Sequence, residues 1–189
     1  IVIGLYSSNN EISGNTFVNN PQQGINLQSH DNTISNNTIT GNYHDKALVL
    51  DRAYSNTISN NTISKSQVGI EFDNNSHDNT VTGNSIRDNN SGIEIGGNSP
   101  NNQVLRNIIE NNDNGISFWK STTIKYNNIK NNGVGILGPS TTGYEVANNN
   151  IYGNTSYNFK VNTGGTVQNI NILNNWWGTI NETSIASKI

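Results

Sequence analysis

One asparagine recurs along the chain at a nearly constant spacing. It lies three residues after one apolar residue and two before the next, in eight successive segments, and neighbouring copies are 20 to 26 residues apart. A recurrence of this kind indicates a protein built from short units that stack on one another. The eight positions are Asn15, Asn37, Asn61, Asn84, Asn107, Asn127, Asn149 and Asn175.

Each repeat holds three short apolar segments, and the apolar residues alternate with polar ones as in a β-strand. The first segment holds a pair of apolar residues, and the other two hold one each, five residues apart. This unit is too short for a helical-hairpin repeat and lacks the consensus of leucine-rich repeats. The pairs are Ile3/Leu5, Ile25/Leu27, Leu48/Leu50, Ile70/Phe72, Ile93/Ile95, Ile116/Phe118 and Phe159/Val161, with Ile136 single in its repeat.

The spacing predicts an all-β fold: a single-stranded parallel β-helix, or solenoid, over residues 1–179, with a C-terminal capping segment at 180–189. We expect about eight coils of roughly 22 residues, with three short strands per coil. Neighbouring parallel strands lie about 4.8 Å apart, so equivalent residues stack directly. Asparagine tolerates left-handed backbone at a corner and can hydrogen bond to its own kind, so we expect a ladder. We expect two further columns to mark other corners. One is a second asparagine column (Asn10, Asn32, Asn56, Asn79, Asn102), and the other is a glycine column (Gly24, Gly69, Gly92, Gly115, Gly135, with Ala47 once).

Composition excludes several classes of protein. Only 31% of the 189 residues are hydrophobic and 12% charged, but the net charge is −3, proline is scarce and isoleucine recurs, so disorder is the weaker interpretation. The absence of cysteine excludes a disulfide framework and a thiolate site. With no basic stripe we expect no nucleic-acid partner, and with no apolar run near 20 residues we expect no membrane span.

The repeat resembles a known family. Its pattern GIxLxxSxxNTIxxNTIxxN is similar to the right-handed parallel β-helix repeats of polysaccharide lyases, carbohydrate-binding and sugar-hydrolase modules and NosD-type periplasmic domains. The ending NNWWGT at 174–179 resembles the closing coil of archaeal and bacterial surface proteins, including the disaggregatase-related group. The resemblance implies the handedness of the solenoid, while one such fold carries many functions.

The two ends of the repeat differ. Trp177 takes the position that Ile151 fills one coil earlier, so we expect its ring to close the core and Trp176 to face outward. Residues 180–189 depart from the repeat and are expected to fold across the last strand edges. The start, IVIGLY, opens directly on a core strand without methionine, which predicts a processed chain or fragment whose first coil meets further protein or a second copy.

Outward positions of the first segment carry the candidate chemistry. Stacked carboxylates about 5 Å apart repel each other unless a cation or a shared proton intervenes, so an acidic patch there suits Ca²⁺ with a uronate, or a general acid and base. The alternative is a solvated acidic face with Arg52 and Lys120 as counterions. Asp51 and Asp73 are the calcium candidates. The candidate catalytic residues are Asp51, Glu71, Asp73 and Glu94.

A second candidate surface is aromatic and basic. Trp119 is expected to be exposed for stacking on a sugar, with Lys120 beside it and Arg52 as a further glycan-binding candidate. An anionic glycan is the ligand that this surface would suit. The nearby basic residues are Arg87, Arg106, Lys125 and Lys130.

Other patterns are interpreted structurally. His30 and His77 share a column with Tyr54 between them, so they are too far apart to bind one metal ion. Paired outward threonines and serines resemble an ice-binding grid, but charged residues interrupt both faces after about three coils, and β-propensity explains them.

The sequence therefore favours an extracellular, cell-surface module with a structural or adhesive role, as an element of a surface layer, sheath, filament or adhesin. The alternative is a polysaccharide-active enzyme (lyase, hydrolase or epimerase) or glycan-binding domain on the outer face. We expect a non-enzymatic protein with no cofactor other than Ca²⁺, and with self-association or a polysaccharide as its interactions.

Overall fold

The chain winds into a parallel solenoid with three strands per coil. A computed structural model describes residues 1–4, 6–141, 143–162, 170–179 and 181–189, so Leu5 and Ile180 lie outside the described residues. The strands form three parallel sheets of eight, eight and seven strands. The predicted fold class is confirmed. The solenoid has about seven complete coils, because the last coil adds only an isolated bridge, between Asn150 and Trp176, to the third sheet.

Strands are numbered along the chain, and each complete coil contributes one strand to each sheet. The first sheet contains β1 (Val2–Ile3), β4 (Ile25–Leu27), β7 (Lys46–Asp51), β10 (Val68–Asp73), β13 (Ser91–Ile95), β16 (Asn114–Phe118), β19 (Val134–Pro139) and β22 (Tyr157–Asn162). The second contains β2 (Glu11–Ser13), β5 (Thr33–Ser35), β8 (Thr57–Ser59), β11 (Thr80–Thr82), β14 (Asn102–Leu105), β17 (Thr122–Lys125), β20 (Glu145–Ala147) and β23 (Asn171–Leu173). The third contains β3 (Thr16–Val18), β6 (Thr38–Thr40), β9 (Thr62–Ser64), β12 (Ser85–Arg87), β15 (Ile108–Glu110), β18 (Asn128–Lys130) and β21 (Asn150–Tyr152).

The core is a narrow column of aliphatic side chains. Register is kept from coil to coil, so Leu48, Ile70 and Ile93 stack in the first sheet, and each is fully buried. Three phenylalanines, Phe72, Phe118 and Phe159, are also buried in this column. β-Branched residues suit this position because they pack well on a pleated surface.

The eight recurring asparagines form a continuous ladder. The side-chain amide of Asn37 donates to Oδ1 of Asn61 at 3.0 Å, and Asn61 donates to Asn84 at 3.0 Å. The backbone N–H of each also donates to the next Oδ1, as from Asn61 to Asn84 at 2.8 Å. The chain of bonds runs from Asn15 to Asn175. The second asparagine column also forms a ladder, from Asn10 to Asn102.

A third ladder was not predicted. Asn89 donates to Asn112, Asn112 to Asn132 and Asn132 to Asn154, at 3.0 to 3.1 Å, and Asn154 then donates to Asn158. Each of the four follows the apolar residue of the third strand by three positions, the same offset as in the first ladder. The signal was therefore present in the sequence.

The backbone corrects our explanation of the corners. Positive φ occurs in the residue before the ladder asparagine, with values of 56° at Asn36 and 55° at Asn60, rather than in the ladder residue itself. The glycine column is selected by close approach: a Cβ on Gly92 would lie 2.5 Å from the carbonyl oxygen of Gly115 in the next coil. Ala47 occupies the same column and is fully buried.

The C-terminal residues lie against the last coil. Trp177 packs against the core, whereas Trp176 is 46% exposed, as predicted. The end of the chain forms a short helix, α1 (Glu182–Ala186), which the sequence analysis did not predict. The carbonyl oxygen of Lys188 accepts hydrogen bonds from the N–H groups of Asn158 and Phe159, at the edge of β22. Among the described residues, no helix has the length and apolar character needed to span a membrane.

Candidate functional site

The four predicted carboxylates lie together on the outer face of the first sheet. Glu71 and Glu94 are register partners on β10 and β13, and Asp51 and Asp73 are partners on β7 and β10. Partners on neighbouring parallel strands are about 4.8 Å apart at the backbone. Because Ile70 and Phe72 point into the core, the alternation of the strand directs Glu71 and Asp73 outward.

A groove of about 370 Å³ contains one of these two pairs. Glu71 and Glu94 form one side, and the residues that precede the strands form the other. The floor is the register row at the start of the strands, where Ser91 lies between Val68 and Asn114. The remaining lining residues are Lys46, Gln67, Asn90 and Asp113.

Glu71 is partly buried in the groove and lies among other charged groups. Burial raises the pKa of Glu71, the ammonium of Lys46 opposes that shift, and the carboxylates of Asp73 and Glu94 add to it. The Lys46 Nζ lies 3.5 Å from the Glu71 carboxylate and 4.0 Å from that of Asp45. The net effect of these influences is to raise the pKa of Glu71 above its ordinary value.

Ser91 is one of five residues in the described part of the chain that have a buried side-chain polar atom without a hydrogen-bond partner, and it lines the groove. Its side chain is 4% exposed, and its Oγ has no hydrogen-bond partner among the residues that the structure describes. A buried hydroxyl without a partner costs about 1 to 3 kcal/mol of free energy, so Ser91 is a candidate to accept or donate a hydrogen bond at the groove.

Asp51 is held by the protein itself. Its carboxylate accepts hydrogen bonds from Gln28 at 2.9 Å, Asn74 at 2.9 Å and Arg52 at 3.1 Å. Burial raises the pKa of Asp51, but the bonds from Asn74, Arg52 and Gln28 and the charge of Arg52 outweigh it and lower the pKa below its ordinary value. No group of three or more His, Asp or Glu side chains able to hold a metal ion occurs in the described part of the chain.

The predicted aromatic and basic surface is not assembled as a unit. Trp119 is 42% exposed and follows β16, one coil beyond Gly96, but Arg52 lies three coils away, or about 14 Å along the solenoid. Arg52 is paired with Asp51. Three of the other cations are paired on the second and third sheets: Arg87 with Asp88 at 2.7 Å, Lys125 with Glu145 at 2.7 Å and Lys130 with Glu110 at 3.1 Å.

The histidine column is an aromatic stack. The rings of His30 and Tyr54 are 4.7 Å apart and those of Tyr54 and His77 are 5.3 Å apart, both stacked. Each histidine contacts its neighbouring aspartate, Asp31 or Asp78, through Nδ1. The ring faces cover one another, so this column stabilises a corner and offers mainly its edges to solvent.

Sequence reasoning predicted only Glu71 and Glu94 among the groove residues and missed the rest, including Lys46, Ser91 and Asp113. Asp113 and Lys46 lie at or just before the start of a strand, and Ser91 belongs to a row that also contains Lys46, Val68, Asn114 and Val134. Because that row mixes polar and apolar residues, the sequence did not distinguish Ser91. Only the path of the backbone before the strands shows that it lines a concave surface.

Comparison with known proteins supports the fold. A family model described as right handed beta helix region matches residues 2–151. No curated protein is similar to the chain at a significant level. The crystal structure of the periplasmic alginate epimerase AlgG is similar, with a TM-score of 0.80 and 20% identity over 89% of this chain and 45% of that chain. The A-module of the Azotobacter vinelandii mannuronan C-5 epimerase AlgE4 has a TM-score of 0.53 and 13% identity over 93% and 76% of the two chains.

These likenesses are in the fold. The chain spans less than half the length of the alginate epimerase AlgG. The β-helix resemblance expected from the repeat is confirmed, whereas the NosD-type and disaggregatase-related resemblances stay predictions.

Proposed function

The chain belongs to the right-handed β-helix family, and on that premise we propose that it binds a polysaccharide in the groove around Glu71 and Glu94. The groove is open and polar, and its residues belong to successive coils. A linear polymer that lies along the solenoid axis would therefore meet equivalent positions repeatedly.

Ser91 is the observation that carries this proposal. A hydroxyl is a natural partner for the buried Oγ of Ser91, and polysaccharides present hydroxyl groups on every sugar. The amides of Gln67, Asn90 and Asn114 line the same groove and add donors and acceptors of the kind that fix a sugar's orientation. The structural neighbours act on polysaccharides, as their names state, which supports the same class of ligand here.

A second candidate is catalysis on the bound glycan. Glu71, whose pKa is raised first by burial, lies in register with Glu94 on the next strand. A carboxylic acid that holds its proton beside a second carboxylate can act as general acid and base in glycoside cleavage. The appearance of new reducing ends or unsaturated sugars in a panel of polysaccharides would favour this candidate over binding alone.

A surface role agrees with the proposed binding. A glycan-binding solenoid can attach a cell surface or a sheath to a polysaccharide, so the structural or adhesive role expected from the sequence stays a prediction. One structural neighbour is periplasmic, which supports export of this chain as part of the proposal.

The test uses Ser91→Ala. Removing a hydroxyl that lacks a protein partner should leave the free energy of unfolding within about 0.5 kcal/mol of the parent or raise it. Loss of one ligand hydrogen bond should weaken binding about threefold to tenfold in affinity electrophoresis with neutral, anionic and amine-bearing polysaccharides. Ser59→Ala, on the outer face of the second sheet, is the matched control and should bind as the parent does.

Two results would contradict the proposal. One is that no polysaccharide of any charge retards the parent protein. The other is that Ser91→Ala and Ser59→Ala bind equally well, because the groove would then have no part in binding.

A further inference from the structure

The charge of the groove identifies the kind of glycan. Glu71, Glu94 and Asp113 line it with three carboxylates, and Lys46 is the one cation among its lining residues. Farther along the same face, Asp51 and Asp73 add two carboxylates and Arg52 one cation. With Asp45, which lies 4.0 Å from Lys46, these residues comprise six carboxylates and two cations, so negative charge is in excess around the groove.

The two cations are already engaged. Lys46 lies within 4.0 Å of the carboxylates of both Asp45 and Glu71, and Arg52 is bound to Asp51 at 3.1 Å. Neither charge is free to balance an incoming carboxylate. A uronate polymer in the groove would therefore place like charges beside Glu71, Glu94 and Asp113.

The carboxylates of the groove also lie close to one another. Burial raises the pKa of Glu71, and the nearby charges of Asp73 and Glu94 raise it further against the opposing effect of Lys46. A cation in the groove would relieve the repulsion between Glu71 and Glu94, which lie in register on neighbouring strands. An ammonium group also has donors for these acceptor oxygens.

We propose that the ligand of the groove is a glycan that bears free amino groups, with its ammonium groups on Glu71, Glu94 and Asp113 and a sugar hydroxyl on Ser91. This inference rests on the proposed glycan-binding function and narrows it. The fold is shared with alginate and mannuronan epimerases, but the carboxylates that line this groove favour a positively charged sugar over an anionic one.

The experiment compares three oligosaccharides of equal length: glucosamine with free amines, N-acetylglucosamine, and mannuronate. Calorimetric titration of the full chain should show the tightest binding for the glucosamine oligomer and none for the mannuronate oligomer. Added salt should weaken glucosamine binding, because exposed charges are screened.

Two double variants that remove equal charge distinguish binding in the groove from general electrostatic attraction to an acidic protein. Glu94→Gln with Asp113→Asn should weaken glucosamine binding about tenfold. Glu110→Gln with Glu145→Gln removes the same charge on the other two sheets and should change it less than about twofold.

The outcomes distinguish the inference from the function on which it rests. If the mannuronate oligomer binds best and Ser91→Ala weakens it, the groove binds a glycan but the inference about charge is wrong. If both double variants weaken glucosamine binding equally, the attraction is not specific to the groove, and the inference is also wrong. If none of the oligomers binds, the proposed function itself is overturned.

Discussion

Asn61 shows why an amide suits a stacked corner. Its Oδ1 accepts hydrogen bonds from the backbone N–H and the side chain of Asn37, at 2.9 and 3.0 Å. Its Nδ2 donates to the carbonyl oxygens of Ile34 and Ser59 and to Oδ1 of Asn84. Asparagine carries both donors and an acceptor without a charge, so identical residues can stack every coil without repulsion.

Replacing Asn61 by alanine should therefore be costly. The change leaves the carbonyl oxygen of Ile34 and the Oδ1 of Asn84 with fewer donors and the Asn37 N–H groups without an acceptor. We expect the free energy of unfolding to fall by about 2 to 4 kcal/mol, measured by urea denaturation.

The control is Asn150→Ala, an exposed asparagine of β21 whose side chain makes no hydrogen bond within the described residues. It should change the free energy of unfolding by less than about 0.5 kcal/mol. Equal effects at the two positions would mean that the ladder contributes no more to stability than an exposed amide.

At the scale of the strand, the glycine column controls how closely coils approach. A methyl group on Gly92 would meet the carbonyl oxygen of Gly115 at 2.5 Å and Cγ2 of Ile109 at 3.2 Å. The first of these is backbone, which cannot move aside without disturbing the sheet. The same glycines lie between the groove floor at Ser91 and the Glu71/Glu94 row, so they also influence the shape of the groove.

Gly92→Ala should lower the free energy of unfolding by about 1 to 3 kcal/mol, because it overpacks the contact between β13 and β16. Thermal unfolding followed by circular dichroism measures the change. Gly97→Ala is the control, since the nearest atom to its added methyl group is 4.0 Å away. If Gly92→Ala left the free energy of unfolding unchanged, the column would accommodate a methyl group at this position as it does at Ala47.

At the scale of the whole molecule, each coil contacts only its neighbours in the sheets. Stability in such a protein is close to a sum over coils and their interfaces. Ile93, Ile116 and Ile136 are successive partners in the first sheet, and the second and third sheets keep the same order through this region. Removal of one complete coil therefore leaves every remaining strand with a compatible partner.

Deletion of residues 116–135 should yield a folded protein with one coil fewer. We expect a cooperative urea transition with a smaller m-value, because less surface becomes exposed on unfolding. Deletion of residues 116–125 is the control: it removes about half a coil, shifts the apolar residues out of register and should abolish the transition. A complete-coil deletion that also fails to fold would contradict independent stacking.

The repeat alone predicted which residues share a column, including the carboxylate pairs Glu71/Glu94 and Asp51/Asp73. Parallel strands in register convert a spacing along the chain directly into a neighbour in space, so these contacts follow from counting residues. The third ladder follows from the same rule and was overlooked.

Tertiary structure decided what lies between the columns. Three features depend on how the backbone bends before each strand and on which side chains are already paired. They are the concave surface at Ser91, the position of Lys46 between two carboxylates and the separation of Arg52 from Trp119. Those features depend on angles and distances across the coil, which the period of a repeat does not contain. The sequence by itself thus determined the solenoid and its columns, and the folded chain determined which outward residues form a groove and which pair with each other.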